Sequence, residues 1–339
     1  MSDPGEIASG LSAAPVVPPQ IEVRYHAISS EEARDEIVET LRRDPPSLPT
    51  RYFYDERGSA LFEEITRLPE YYPTRAEREI LSRHSDDVAR RTLATQMVEI
   101  GSGAAEKTRW LLDALRDVGT LRSYVPLDVS GEFLRAAAET LARDYPGLEI
   151  HGIVADFNTT LTPLPEADGP RLAIFLGGTI GNLHPRTEAP AFLDRLAAAL
   201  SPGDWFLLGV DRIKDRATLE RAYNDAAGVT AEFNRNILRV VSRKYGLPLD
   251  PTDFEHLAFW DEQESWIEMR LVARRDLEIP LGDGAGPLQL RPGDAIRTEI
   301  SAKYDDERVC ELLAPSSFTV ETCYSDAKRR FSLYLARRE

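Results

Sequence analysis

From residue 96 onward, apolar runs of four to six residues alternate with amphipathic stretches. Residues 97–100 read as a short strand, followed by Gly101-Ser102-Gly103 and a helix carrying Trp110, Leu111, Leu112 and Leu115. SYVPLDVS reads as a strand ending at Asp128, followed by a helix with Phe133, Leu134, Ala137 and Leu141. GLEIHGIVADF reads as a strand ending at Asp156, and RLAIFLGG as a nearly all-apolar strand ending at Gly177. The helix FLDRLAAAL and the strand WFLLGVD complete the series. This rhythm predicts an α/β fold, a doubly wound parallel sheet covered on both faces. Continuous runs such as LAIFL suit strands buried on both sides.

The flanking regions have other periods. Residues 28–43 predict a helix capped by Ser29 or Ser30, with Ala33, Ile37 and Leu41 on one face. Residues 59–66 predict a short helix, with Pro69 and Pro73 interrupting the segment after it. A helical region is expected over about 219–243. SWIEMRLVARR and AIRTEISAKY then alternate polar and apolar positions, as half-exposed antiparallel strands do. A helix over 307–313 and two strands, FTVETCYSD and FSLYLARR, close the chain. The pattern thus predicts a doubly wound domain interrupted by an antiparallel-rich insert.

Composition narrows the function. The chain has 339 residues, enough for about two domains. Its formal net charge of −16 disfavours nucleic acid and anionic membrane surfaces as partners. Two cysteines without a C-x-x-C, and five histidines without a ligand spacing, leave no expected metal site. The first ~20 residues lack the basic and apolar regions of a signal peptide, and no long apolar run is present. A cytoplasmic protein with a flexible N-terminal tail, residues 1–24, is expected.

The stretch VEIGSGAAEKT carries the candidate chemistry. Gly101 and Gly103 let backbone approach a ligand closely, since no Cβ intrudes. A nicotinamide fingerprint would continue G-x-G-x-x-G/A, but the sixth position is Glu106, a poor neighbour for a pyrophosphate. Glu99 likewise disfavours phosphate. S-adenosylmethionine (SAM) has a sulfonium, an amine and a ribose, and no phosphate. Asp128 can accept from its ribose hydroxyls, Asp156 from its adenine amino group, and Phe157 can pack on the ring. A lone G-x-G is equally an ordinary turn; the ordered series of strand ends favours the cofactor.

With these residues in view, the chain resembles the SAM-dependent histidine Nα-methyltransferases of ergothioneine biosynthesis. FYDERGSALFEEITRLPEYYPTRAE, VEIGSGAAEKTRWLLDAL, FLGGTIGNL, RAYNDAAGVTAEFNRN and TEISAKY carry the resemblance, which runs from about residue 48 to the C-terminus. It implies a class I SAM-methyltransferase domain, Rossmann-like, over 76–213 plus 304–339. It also implies a second, α+β substrate-binding domain over 25–75 plus 214–303. The cofactor side would use Tyr71, Gly101, Ser102, Gly103, Lys107, Asp128, Asp156, Phe157, Gly177 and Thr179. The substrate side would use Tyr54, Tyr71, Asn182, Tyr223, Met269, Glu299 and Ser301, with Tyr54 as a candidate proton acceptor. The implied reaction is conversion of L-histidine to hercynine, with S-adenosylhomocysteine as the other product. The alternative substrates are tryptophan and tyrosine, and the expected assembly is a monomer.

The residues also have plainer readings. Tyr71 and Tyr72 could be one core and one surface residue, Tyr223 and Met269 core residues. Asn182 is equally a helix-capping residue or a carboxylate ligand. Arg297, Glu299 and Ser301, two apart on a strand, should share a face. That face is either solvated or hydrogen-bonds both nitrogens of an imidazole, because a carboxylate and a hydroxyl match that ring.

Overall fold

The structure, a computed structural model, describes residues 18–23, 29–103, 107–158, 160–161, 163–282, 284 and 286–339. The readings that fall on residues 1–17 and 24–28, on Glu106 and on the Phe133 side chain lie outside the described residues.

In chain order the sheet domain comprises β1 (Gln20–Val23), β2 (Gln96–Ile100), β3 (Ser123–Asp128), β4 (Glu149–Val154), β5 (Arg171–Phe175) and β6 (Trp205–Asp211). The chain returns to it after an excursion, through β12 (Phe318–Ser325) and β13 (Phe331–Arg338). The eight strands lie in the order β1-β4-β3-β2-β5-β6-β13-β12. β1 to β6 are parallel, and β13 runs antiparallel to both β6 and β12. All five β2 residues are buried. Its alternation divides them: Val98 and Ile100 join the core beneath α6 (Glu188–Ala199) and α9 (Asp306–Leu313). Met97 joins the core under α3 (Pro73–Thr92), α4 (Arg109–Asp117) and α5 (Gly131–Asp144). Strands buried on both faces explain the unbroken apolar runs.

The excursion builds a second unit. A three-stranded antiparallel sheet, β7 (Phe254–Asp261), β8 (Trp266–Ala273) and β11 (Ala295–Ala302), has β8 at its centre. The hairpin β9 (Leu277–Ile279) and β10 (Leu288–Leu290) lies outside it. Against the sheet pack α7 (Arg216–Tyr223) and α8 (Val229–Tyr245), and on α8 pack α1 (Ser30–Leu41) and α2 (Glu56–Arg67). One apolar core joins Ile37–Tyr72 with Leu219–Ile296.

Several details differ from expectation. Pro73 does not interrupt a helix; it opens the 20-residue α3 at its first turn, where a missing N–H costs nothing. The single helix over 219–243 is two, α7 and α8. The break contains Gly228 at φ +74°, and the Asp225 carboxylate accepts from Val229 N and Thr230 N to cap α8. β7 escaped the sequence pattern altogether. Gln20–Val23, inside the stretch read as a flexible tail, forms β1 and pairs with β4. In α1 Ser29 is the cap, with its hydroxyl and Glu32 in a reciprocal capping box.

Candidate active site

The cofactor side is built where β2 ends. Gly101 (φ +70°) and Gly103 (φ +49°) take left-handed conformations that a side chain would strain. Among the described residues a Cβ at either would meet nothing within 4 Å, so the loop borders an open cradle. Gly103 N donates to Asp128 Oδ2 at 2.9 Å, and Ser130 N to Asp128 Oδ1 at 3.0 Å, fixing this carboxylate at the rim. Beside the cradle, Ser102 Oγ is buried without a hydrogen-bond partner among the described residues. Asp156 accepts from Asn158 N at 2.8 Å. Phe157 stands edge-on to Phe175 and Phe192, half-buried. An open glycine cradle, an orphaned hydroxyl and two acids, with an aromatic ring alongside, fit a ligand with ribose, amine and adenine groups.

Two residues here make contacts that the sequence reading did not foresee. Glu99 does not face the cradle. It is buried below it, accepting from Thr108 Oγ1 (2.6 Å) and from the Tyr124 phenol. Burial pushes its carboxyl up to about 7 against these two hydrogen bonds. Lys107 is paired with Glu77 of α3, a fully buried acid that the sequence did not flag. The other Glu77 oxygen accepts from Gly177 N at 2.7 Å. Gly177 (φ +77°) begins the turn after β5, and Thr179 Oγ1 donates to Leu176 O at 2.8 Å to close it.

The turn continues through a 3-10 helix, Thr179–Asn182. Gly181 lies against β11: a Cβ there would sit 2.8 Å from Ala302 O. This contact brings Asn182 to the substrate side, where its side chain makes no hydrogen bond among the described residues. Across β11, Glu299 pairs with Met269 and Ser301 with Ile267. Arg297, however, pairs with Arg270, because the register shifts at Thr298. The bulge turns Arg297 to the opposite face, so the expected three-residue face reduces to Glu299 and Ser301.

Glu299 is buried, with no hydrogen bond or ion pair among the described residues. Burial pushes its carboxyl up to about 7, with the Lys303 charge pulling the other way. Met269 is buried on β8 in the neighbouring core. Tyr223 Oη donates to Ser301 Oγ at 2.8 Å. Tyr71 is buried edge-on to Tyr223, with centroids 6.4 Å apart. Tyr54 packs edge-on to Phe62 and Phe233, and 41% of its surface remains open. Desolvation, then the nearby Glu299 and Asp128 carboxylates, raise the Tyr54 phenol well above its usual range. Tyr54 therefore feels an acid from each half of the site. A phenol raised in this way is protonated at neutral pH.

Beneath these residues lies a charged cluster that sequence reading missed. Lys303 Nζ reaches Tyr223 Oη (3.0 Å), Ser301 Oγ (2.8 Å) and Asp211 Oδ2 (3.0 Å). Asp211 also accepts from Tyr72 Oη (2.8 Å) and pairs with Lys214 (2.5 Å). A signal existed: Lys303 is two residues beyond Ser301 and so shares its strand face. Below Tyr223, the His256 ring lies 2.8 Å from Tyr223 O and 2.8 Å from Asn234 Nδ2, and burial lowers its pKa.

A parallel sheet ending in an antiparallel β13–β12 pair, with an open glycine cradle and a carboxylate rim where β2 and β3 end, is the architecture of a class I SAM-dependent methyltransferase. Residues 33–338 match the family described as histidine-specific methyltransferase, SAM-dependent. The chain is 45% identical over 312 residues to a histidine N-alpha-methyltransferase of Mycolicibacterium smegmatis, covering 90% of this chain and 97% of that one. A histidine N-alpha-methyltransferase of Mycobacterium tuberculosis is 45% identical over 303 residues, with 89% and 94% covered. Ergothioneine biosynthesis protein 1 of Schizosaccharomyces pombe is 29% identical, with 89% of this chain and 40% of that one covered. The chain belongs to the histidine-specific, SAM-dependent methyltransferase family. Membership sets aside the nicotinamide alternative. Among the described residues no group of side chains could hold a metal ion, and no helix is long and apolar enough to cross a membrane.

Proposed function

We propose that this protein methylates the α-amino nitrogen of L-histidine three times, giving hercynine for ergothioneine biosynthesis. The observation that carries the reading is the Glu299–Ser301 pair. A buried, unpaired carboxylate and a hydroxyl occupy one strand face, matching the N–H and the bare nitrogen of a neutral imidazole. An indole has an N–H but no acceptor nitrogen for the second contact, and a phenol carries donor and acceptor on one oxygen rather than on two ring positions. Asn182 and Tyr71, whose polar groups are uncommitted among the described residues, are suited to the substrate's α-carboxylate and amine.

SAM, when bound, supplies an electrophilic methyl on its sulfonium. Gly101, Ser102, Gly103, Lys107, Asp128, Asp156, Phe157, Gly177 and Thr179 form the side that would hold it. The chain's part in the reaction is orientation, which supplies about 7–11 kcal/mol in favourable cases. Tyr54, held as a phenol between Asp128 and Glu299, orients the amine by hydrogen bonding, and the amine's protons leave to water. The proposed setting is a cytoplasmic monomer.

The test is calorimetric titration of L-histidine into the protein saturated with S-adenosylhomocysteine, with tryptophan and tyrosine as controls. Selective histidine binding is expected. Intact S-adenosylhomocysteine binding without histidine binding would keep the methyltransferase and discard its substrate.

A further inference from the structure

Ser301 is the residue on which recognition of a ring nitrogen depends, and its hydrogen bonds are already largely assigned. A serine hydroxyl has one hydrogen to give and two lone pairs to receive. Tyr223 Oη donates to Ser301 Oγ at 2.8 Å, and Lys303 Nζ donates to the same atom at 2.8 Å. Both lone pairs are therefore filled from within the protein. What remains for a ligand is the Ser301 hydrogen alone. Lys303 also donates to Tyr223 Oη at 3.0 Å, so the phenol's hydrogen is directed onward to the serine.

Lys303 itself has no freedom to change this arrangement. Its side chain is fully buried and anchored by Asp211 at 3.0 Å. An ammonium has three donors and no acceptor, and these three partners use all of them. Two residues before Ser301 on the same strand face, Glu299 carries a carboxylate uncommitted among the described residues. The pocket therefore offers one fixed donor beside one acceptor.

We propose that Lys303 is a positioning residue that locks Ser301 as a pure hydrogen-bond donor, so that the site selects a substrate ring with an acceptor nitrogen opposite Ser301 and an N–H opposite Glu299. This rests on the histidine reading above and deepens it. Without Lys303, a lone pair on Ser301 is freed, the hydroxyl turns, and the distinction between ring acceptor and ring donor is lost.

The experiment is calorimetry on the full chain saturated with S-adenosylhomocysteine, comparing wild type, Lys303→Met, Ser301→Ala and the double variant. The probes are L-histidine and the two pyrrolylalanines, which keep one ring N–H and lack the acceptor nitrogen. Each single variant should weaken histidine binding by about tenfold, the scale of one lost hydrogen bond. The double variant should be scarcely weaker than either single. The preference for histidine over the pyrrolylalanines should shrink in all three. Additive losses, an unchanged histidine affinity in Lys303→Met, or equal losses for both probe types would overturn the proposal. Binding of S-adenosylhomocysteine reports that each variant is folded. If Lys303→Met fails that check, Lys303→Gln, which keeps an amide donor, takes its place; it should retain part of the preference, and full loss equal to Ser301→Ala would overturn the lock. Failure of wild type to bind histidine would instead reject the substrate assignment.

Discussion

Glu77 accepts the Gly177 N–H at 2.7 Å, although the two residues stand 100 positions apart in the chain. The second Glu77 oxygen holds Lys107. A single buried carboxylate on α3 thus ties together the loop after β2 and the loop after β5. Gly209 makes room for it, since a Cβ there would lie 2.7 Å from Glu77 Oε1.

Removing that carboxylate should loosen both loops. Glu77→Ala leaves Lys107 and the Gly177 N–H without their partner. Because Lys107 is about a quarter exposed, the cost should fall below the ~3–5 kcal/mol of breaking a fully buried pair, at roughly 2–3 kcal/mol. Thermal unfolding reads the stability loss, and calorimetry should show S-adenosylhomocysteine affinity reduced at least about tenfold. Affinity equal to wild type would show that the loops keep their shape without Glu77.

Gly181 makes the second link between the halves of the site. A Cβ on it would meet the backbone oxygen of Ala302 at 2.8 Å and Ser301 Oγ at 3.4 Å. Backbone cannot yield as a flexible side chain does, so Gly181→Ala should push the Asn182 turn off β11. A rise in KM for histidine of about tenfold or more is expected from the displaced contacts. Steady-state kinetics with varied histidine checks it; an unchanged KM would mean the turn and β11 move independently.

The pH dependence of stability derives from two raised carboxyls. Glu99 and Glu299 stand at about 7 in the folded chain against an ordinary 4.5, chiefly through burial. Between those values the folded protein holds protons that the unfolded chain releases. Their contribution to stability is therefore best at low pH and declines as pH rises through that window. Glu299→Gln cannot ionise, so its melting temperature should gain on wild type between about pH 5 and about pH 8. A gap that stays constant with pH would show that Glu299 titrates normally.

Tyr54 gives a kinetic prediction. Desolvation and two nearby carboxylates keep its phenol protonated. Tyr54→Phe should therefore lower kcat by less than the ~100-fold typical of a lost general base, and leave the pH–rate profile in place. Loss of one limb of that profile, measured across the range in which the enzyme is stable, would make Tyr54 the proton acceptor after all.

How much of this was legible in the sequence differs with the range of the forces involved. The order of strands and helices in the sheet domain, the turn at Gly101 and Gly103 and the cap at Ser29 come from local period and backbone stereochemistry. Asp128 likewise stands at a strand end, as the pattern implied. β7 was not legible, because its residues are only partly buried and their polarity is irregular. Pro73 was ambiguous, since proline both stops a helix and starts one.

The sequence by itself therefore determined the class of fold and supplied the Glu299–Ser301 face, because side-chain alternation is a property of the strand. Only the tertiary structure decided what those residues touch. The bulge at Thr298 removed Arg297 from that face through a register shift set by pairing with β8. Glu77 with Gly177, and Lys303 with Asp211, meet across long stretches of chain in water-poor surroundings. A charge looks the same in sequence whether it is solvated or buried. Its partner, which makes burial tolerable, is chosen by packing.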